Sequence, residues 1–360
     1  MIDRGGRHVR AHLAAALNGD VHMTSWPLAL LAIVGVMTGL GCSEPPPPID
    51  PALDLGSAAP SGTDPKLQFV GNWELVRRER LTPEGERLPS PAPPAPGADG
   101  EVGYLMYDAA GYMGVIIMPP GRVPYATGEL TGEEAVRALD IYTSYFGTYT
   151  VNEAEGHLTH HLQGNVRPSD SNNNNQRFYE FSGDRLILIP PADESGITRR
   201  IIWQRVPDLS EAEVSETHRR LFGFYRFTQI ARTTIDGKSL PTDQWDNAFL
   251  MYMSSGHMAV HISRKDRPVY TGAPTPEQAL RAIRTYVSYF GSFSVHAENG
   301  YLLHHQIGNL NPGQVGADSQ RFFQLTDSSL TLRPPPGMVD GREVQSSIIW
   351  ERISEKTWGQ

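Results

Sequence analysis

The chain is written twice. Ser144-Tyr145-Phe146-Gly147 returns as Ser288-Tyr289-Phe290-Gly291, His160-His161 as His304-His305, Gly164-Asn165 as Gly308-Asn309, and Gln176-Arg177-Phe178 as Gln320-Arg321-Phe322, every pair offset by 144. Outside this block the offset drifts. Tyr107 and Gly111 match Tyr252 and Gly256 at 145, Trp203 and Arg205 match Trp350 and Arg352 at 147, and Gly71 and Trp73 match Gly223 and Tyr225 at 152. Drift confined to the gaps between matches is what changes in loop length produce. The largest gap contains the proline-rich stretch 89–97. Two copies are too few for a stacked solenoid, which needs three or more units. The expected organisation is one domain over 67–207, a linker over 208–217, a second domain over 218–354 and a tail over 355–360.

Each copy reads mostly as short strands. Phe69–Glu79, Tyr104–Tyr107, Tyr112–Met118, Gly147–Asn152, His157–Gln163, Arg177–Phe181, Arg185–Ile189 and Ile201–Val206 are rich in aromatic and β-branched residues, with Gly, Pro, Asn and Asp between them. Asp108-Ala-Ala-Gly111 and Ser182-Gly183-Asp184 fit hairpin turns. One helix interrupts the strands. Thr131-Gly-Glu-Glu134 is a capping box, and Thr275-Pro-Glu-Gln278 repeats it with Pro276 at the first helical position. Ala135, Leu139, Tyr142 and Phe146 are spaced to share one helical face, as are Ala279, Ile283, Tyr286 and Phe290, so the helices are expected to end at Gly147 and Gly291. A further short helix is expected from Ser210, where Glu213 completes another capping box. About eight evenly spaced strands per copy favour a closed barrel or a sandwich. The fold class is therefore mainly β: two tandem antiparallel barrels, each with one α-helix.

The N-terminal segment reads as an export signal. Trp26 to Gly41 reads WPLALLAIVGVMTGLG, too short for a comfortable membrane span and right for a signal-peptide core. Arg4, Arg7 and Arg10 precede it; a start at Met23 instead of Met1 would remove them. The run ends at Gly39-Leu-Gly-Cys42, which resembles the lipobox of bacterial lipoproteins, whose cysteine takes lipid and becomes the mature N-terminus. An uncleaved anchor and cleavage near Gly41 without lipid are the other readings. Residues 1–42 are thus expected to be the signal peptide. Cys42 is the only cysteine, so no internal disulfide is available. Residues 43–66, with four prolines at 45–48, form a semi-rigid tether with too few apolar residues for a core. The expected location is the bacterial cell envelope, lipid-anchored on the periplasmic side or exposed on the outer membrane, with secretion as the alternative.

The formal charge is −9 and no basic stripe appears, which argues against nucleic acid as a partner. No phosphate-binding glycine loop, Gly-X-Ser-X-Gly, catalytic cysteine arrangement or His-Glu-X-X-His occurs. No cofactor and no metal site are expected.

The ordered motifs Gly71-Asn-Trp73, Tyr107-X-X-X-Gly-Tyr-Met113, Tyr145-Phe-Gly-Thr-Tyr149, His160-His161, Gln176-Arg-Phe178 and Trp203-Gln-Arg205 resemble the bacterial lipocalin-like domain family, over nearly all of both copies. Gly-X-Trp is similar to the first-strand signature of lipocalins. The resemblance implies a barrel suited to a small hydrophobic or amphipathic molecule, with an arginine from the last strand packed across the first-strand aromatic. Gly71, Trp73 and Arg205 would supply this signature in the first copy, and Gly223, Tyr225 and Arg352 in the second. It implies no particular activity.

Candidate ligand contacts follow from strand alternation. His160 and His161 leave opposite faces of a strand, so one of each pair points inward; His160 and His304 are the candidates. Arg177 alternates with Tyr179 and Phe181, and Arg321 with Phe323 and Leu325, so an inward arginine needs an acceptor, from a ligand carboxylate or from the protein itself. Tyr145, Tyr149 and Tyr289 offer aromatic wall. Asn172–Asn175 reads as an exposed turn. Three readings stay open: a binding protein using His160, Arg177, His304 and Arg321 as polar contacts; an enzyme of isomerase, cyclase or hydrolase type using the interior histidine as acid or base; and a structural module of the envelope. Oligomeric state is undetermined by these features.

Overall fold

The computed structural model describes residues 64–89, 100–125, 128–242, 245–339 and 341–354. The signal segment with Cys42, the tether up to residue 63, residues 90–97 of the proline-rich loop and the tail 355–360 lie outside the described residues.

The first copy contributes β1 (Gly71–Leu81), β2 (Arg87–Leu88), β3 (Val102–Tyr107), β4 (Tyr112–Met118), α1 (Gly132–Ile141), β5 (Thr143–Asn152), β6 (His157–Asn165), β7 (Asn174–Ser182), β8 (Arg185–Ile189) and β9 (Thr198–Arg205). After α2 (Glu216–Leu221) the second copy contributes β10 (Gly223–Thr234), β11 (Ser239–Leu240), β12 (Trp245–Tyr252), β13 (His257–Arg264), α3 (Pro276–Arg284), β14 (Tyr286–His296), β15 (Tyr301–Asn309), β16 (Asp318–Leu325), β17 (Ser329–Arg333), β18 (Gly337–Val339) and β19 (Arg342–Arg352). All pairings are antiparallel. In the first copy β1 pairs with β9 and closes eight strands into a barrel, β2 being a short extra on β1; in the second β10 pairs with β19 and closes eight more, with β11 and β18 as the extras. Closure leaves neither barrel an open sheet edge. Irregularities recur at equivalent places, between Leu75 and Arg77 as between Phe227 and Gln229, and between Phe146 and Gly147 as between Phe290 and Gly291. Bulges of this kind bend a strand and sharpen its twist, as a closing sheet requires.

The helices are shorter than the periodicity suggests. The capping boxes at Thr131 and Thr275 form, but α1 stops at Ile141. Tyr142 is already extended, at φ −109° and ψ 121°. Tyr142 and Phe146 therefore leave the helical face, as do Tyr286 and Phe290. The run Thr-Ser-Tyr-Phe-Gly-Thr-Tyr-Thr-Val is dominated by β-branched and aromatic residues and joins the sheet. Gly147 sits at the bulge instead of capping a helix, where an added Cβ would lie 2.0 Å from the His161 carbonyl oxygen; at Gly291 it would lie 1.8 Å from that of His305. In the linker, Ser210 and Glu213 close a single turn, Ser210 Oγ donating to Glu213 at 2.6 Å. The helix itself begins later, capped by Ser215 with His218. Its last residue, Leu221, is fully buried.

The wall formed by β3, β4 and β5 is buried on both faces. Leu105, Tyr107, Val115, Ile117, Tyr145 and Tyr149 face the barrel interior with Trp73, Leu158 and Trp203. The intervening Tyr104, Met106, Ile116, Met118 and Phe146 join Ala135 and Leu139 of α1 in a cluster that continues into Phe249, Met251, Ala259, Ile283 and Phe290 of the second barrel. A strand buried on both sides loses its polar alternation, which is why YMGVIIM reads as a continuous apolar run. The two barrels thus share one core, with α1 against α3. The polar contacts across it are reciprocal. Arg122 donates to the Asn309 and Leu310 carbonyls at 2.7 and 2.9 Å. Arg267 donates to the Asn165 carbonyl and, at 2.6 Å, to that of Val166. Tyr142 meets Ser288 Oγ at 3.0 Å, and Tyr286 meets Ser144 Oγ at 3.2 Å.

Candidate functional site

Adjacent positions on β6 send His160 inward and His161 outward. His160 is fully buried. Its Nε2 lies 2.6 Å from the Tyr107 hydroxyl and its Nδ1 3.1 Å from that of Tyr145. The second barrel repeats the arrangement: His304 Nε2 lies 2.6 Å from Tyr252 and Nδ1 2.9 Å from Tyr289. Strand register builds this cluster. Tyr107 ends β3, Tyr145 stands on β5 opposite Asn165, and His160 on β6 is paired with Tyr149, so its ring meets the two hydroxyls through the barrel interior. Arg177 follows on β7, paired across from the inward Leu158. Its Nη1 donates to its own neighbour's carbonyl, Gln176, at 2.7 Å, and its buried Nε has no partner among the described residues. Arg321 makes the same contact to Gln320 at 2.8 Å.

The electrostatics keep this cluster neutral. Burial holds His160 well below the usual imidazole range, with the Arg177 charge and His161 adding to the effect. Burial raises Tyr145, opposed by Arg177. It raises Tyr107 further, reinforced by Tyr145 and Tyr149. His304, Tyr289 and Tyr252 move in the same directions for the same main reason. A neutral imidazole has one donor and one acceptor nitrogen. The three groups therefore hold three protons, two phenolic and one imidazole, but make only two mutual contacts. In either tautomer one tyrosine O–H is left to donate outside the cluster. With Arg177 beside it, the cluster is rich in donors.

Of the expected ligand contacts, His160, Arg177 and Tyr145 come together, as do His304, Arg321 and Tyr289. Tyr149 does not join them. Its ring packs on Tyr107 at 4.6 Å and its hydroxyl donates to the Asp108 carbonyl at 2.8 Å. Phe293 stands in its place in the second barrel. Tyr107 and Tyr252 are the members that sequence reasoning missed; the available signal was that both repeat, each four residues before a turn glycine.

The first-strand signature lies at one end of each barrel. Arg205 stacks 4.1 Å from the Trp73 ring and donates to the Val70 and Gln68 carbonyls, both at 2.6 Å. Trp73 Nε1 donates to the Phe69 carbonyl at 2.7 Å. Arg352 lies 4.7 Å from the Tyr225 ring, donates to the Phe222 carbonyl at 2.6 Å and reaches the Tyr225 hydroxyl at 2.5 Å. Gly71 has φ +132°, and a Cβ there would come within 2.9 Å of Arg205 Nη1, so the glycine admits the guanidinium. Gly223 serves Arg352 in the same way, at φ +134° and 2.7 Å.

At the opposite end of the first barrel is a pocket of about 330 Å³, bordered by Tyr145, Asn165, Arg167, Asp170, Asn173 and Asn175 among others. The asparagine run is thus more than an exposed turn: Asn174 and Asn175 begin β7, Asn174 meeting His161 and Asn175 facing the pocket. Tyr145 belongs both to this pocket and to the buried cluster. Among the described residues no group of three His, Cys, Asp or Glu side chains is placed to hold a metal ion.

The family model for the lipocalin-like domain matches residues 70–206 and again 222–353. The chain belongs to the lipocalin-like domain family. No curated protein matches it. Among solved structures, these lipocalin-like barrels are similar to a protein of unknown function from Nostoc punctiforme, at 11% identity over 80% of this chain and 97% of that one, with a TM-score of 0.21. A putative outer membrane protein from Bacteroides fragilis is 9% identical over 81% and 100%, at 0.18. Transferrin binding protein B from Neisseria meningitidis is 8% identical over 78% and 76%, at 0.19. Likeness at this level shows nothing of what the lipocalin-like chain does.

Proposed function

We propose that this is an exported binding protein, anchored to the cell envelope by lipid on Cys42, which holds a small amphipathic molecule by an oxygen-bearing head. The observation that carries this reading is the Tyr107–His160–Tyr145 cluster, with its unspent hydroxyl proton and neighbouring Arg177, adjoining the pocket through Tyr145. A carbonyl or carboxylate oxygen is the complement of such a donor set. The pocket is of the size that takes a small ligand. Binding is favoured over acid–base catalysis because burial drives His160 down and both tyrosines up. No member then exchanges a proton readily near neutrality, where a general acid or base must work. The second barrel has the same cluster, and the reading extends to it.

The test uses the full chain extracted in mild detergent. Native mass spectrometry before and after unfolding should release a reproducible small molecule bearing a carbonyl or carboxylate. Tyr145→Phe and His160→Phe should each reduce its occupancy. Titration with a fluorescent medium-chain fatty acid should saturate in the unmodified chain and weaken in both variants. A ligand-free mass together with no saturable fluorescence change would sink the reading. For the anchor, Cys42→Ser should move the protein from the membrane to the soluble fraction; unchanged fractionation refutes lipidation.

A further inference from the structure

The outward histidines of the two barrels sit in networks of the same shape but different chemistry. In the first barrel His161 lies between Thr150 Oγ1, 2.9 Å from Nε2, and Asn174 Oδ1, 2.8 Å from Nδ1. In the second, His305 lies between Ser294 Oγ, 2.9 Å from Nε2, and Asp318 Oδ1, 2.7 Å from Nδ1. The strand ladder fixes this spacing: β14, β15 and β16 lie side by side, with His305 opposite Asp318 and Ser294 one residue pair further along the same outer face. We infer that Ser294, His305 and Asp318 form a nucleophilic centre on the outer wall of the second barrel that cleaves small activated carboxylic esters. This inference is independent of the ligand-binding reading of the interior.

Three features support it. First, the tautomer is fixed in the useful sense. A carboxylate only accepts, so Nδ1 carries the proton, and in the neutral imidazole Nε2 then presents its lone pair to the Ser294 hydroxyl. That is the base–nucleophile order of the serine triad, which is recognised by geometry and roles, whatever the chain order. Asn174 in the first barrel is uncharged and cannot stabilise an imidazolium as Asp318 can. Secondly, the surroundings differ in the same direction. Where the first barrel presents Thr159 and Gln163 on this face, the second presents Leu303 and Ile307. Ile307 and Phe322 are exposed large apolar side chains, and Tyr301 packs edge-on to Phe322 with ring centres 6.1 Å apart. An apolar rim beside the serine suits the acyl or aryl portion of an ester. Thirdly, the site is open to solvent, so water reaches it for the second half of the reaction.

The step balances with water as the only co-reactant. Ser294 Oγ bonds to the ester carbonyl carbon as its proton passes to His305 Nε2. The carbon–alkoxy bond then breaks, and the leaving oxygen takes that proton from His305. Water, giving its proton to the same nitrogen, cleaves the acyl–serine bond and restores Ser294. A serine within a regular strand has backbone N–H groups engaged in pairing, so little preformed help for the oxyanion is at hand. The centre is therefore expected to act on esters with good leaving groups.

The experiment treats the full chain with an aromatic sulfonyl fluoride and follows intact mass, then maps the modified peptide; hydrolysis of p-nitrophenyl acetate is followed in parallel. The expected result is one adduct, on Ser294, and hydrolysis above the buffer rate. Both should fall at least about tenfold in Ser294→Ala, His305→Gln and Asp318→Asn, as for removal of a triad member. His161→Gln should leave both unchanged. Absence of an adduct, an adduct elsewhere, or labelling of Ser294 that is indifferent to Asp318→Asn in a chain with unchanged circular dichroism overturns the assignment. Ser294→Ala, a surface truncation of one hydroxyl, keeps the test decisive if the aspartate variant folds poorly.

Discussion

The two barrels agree in their interior polar clusters and disagree on their outer walls. Both keep a histidine between two tyrosines and an arginine on the next strand. Outside, Thr150, Thr159, Gln163 and Asn174 of the first barrel give way to Ser294, Leu303, Ile307 and Asp318. Polar groups buried in a closed barrel answer for one another, since each loss strands a partner. Outer-wall groups have water as an alternative partner. The difference teaches that the interior cluster is a shared property of the module, whereas chemistry peculiar to one copy belongs on its wall.

The comparison breaks most visibly at the first-strand aromatic. Trp73→Ala removes a fully buried indole, its hydrogen bond to Phe69 and the ring beneath Arg205. It should cost about 3–5 kcal/mol, measured as a shift in the urea midpoint. Tyr225→Ala should cost less, because the smaller ring leaves a smaller cavity. Equal losses would mean that the two ends are packed alike despite the change of residue.

Next come the interior histidines. His160→Phe and His304→Phe each deprive two buried tyrosine hydroxyls of their partner, and each should cost about 2–4 kcal/mol. Near-equal values would support the equivalence of the two interiors. A cost in one barrel alone would show that the other cluster is slack.

Acid should weaken both barrels through the same groups. His160 and His304 are held well below the ordinary imidazole value by burial, and His261, between the barrels, is pushed down to about 3. Below pH 6.5 the unfolded chain takes up protons that these folded sites refuse. Stability is therefore full above about pH 6.5 and falls as pH drops toward 3, by up to about 1.4 kcal/mol per pH unit for each histidine. Midpoints measured between pH 7.5 and 4.5 check the sign.

The smallest expected effect belongs to His261 at neutral pH. Its Nδ1 meets Ser144 and Tyr286, both at 3.1 Å, but its buried Nε2 has no partner among the described residues. Ile116 is its counterpart in the first barrel. His261→Ile should change stability at pH 7.5 by no more than about 1 kcal/mol, since a lost hydrogen bond is set against relief of a stranded nitrogen. The same variant should flatten the acid decline.

Much of this was legible in the sequence. Repetition at a fixed offset, strand-forming runs and turn glycines lead to two barrels, and alternation sends one histidine of each pair inward without saying which. The helix ends were not legible, because Tyr142 and Phe146 satisfy a helical period as well as a strand; only the bulge at Gly147, set by the approach of the His161 carbonyl, decides between them. Tyr107 was hidden because its partner lies 53 residues away. The double burial of β3 to β5 was written in the run YMGVIIM, but such a run does not say what covers its second face.

The reciprocal arginines carry one more consequence. Arg122 caps carbonyls of the second barrel at the positions equivalent to those that Arg267 caps in the first. A contact in which site i meets j and j meets i is the signature of a two-fold homodimer. Fusing two such subunits into one polypeptide fixes their stoichiometry and makes their encounter intramolecular. It also removes the requirement that both partners carry every mutation. A wall residue changed in a homodimer changes twice; in a fused pair it changes once, and the sibling barrel keeps its own face.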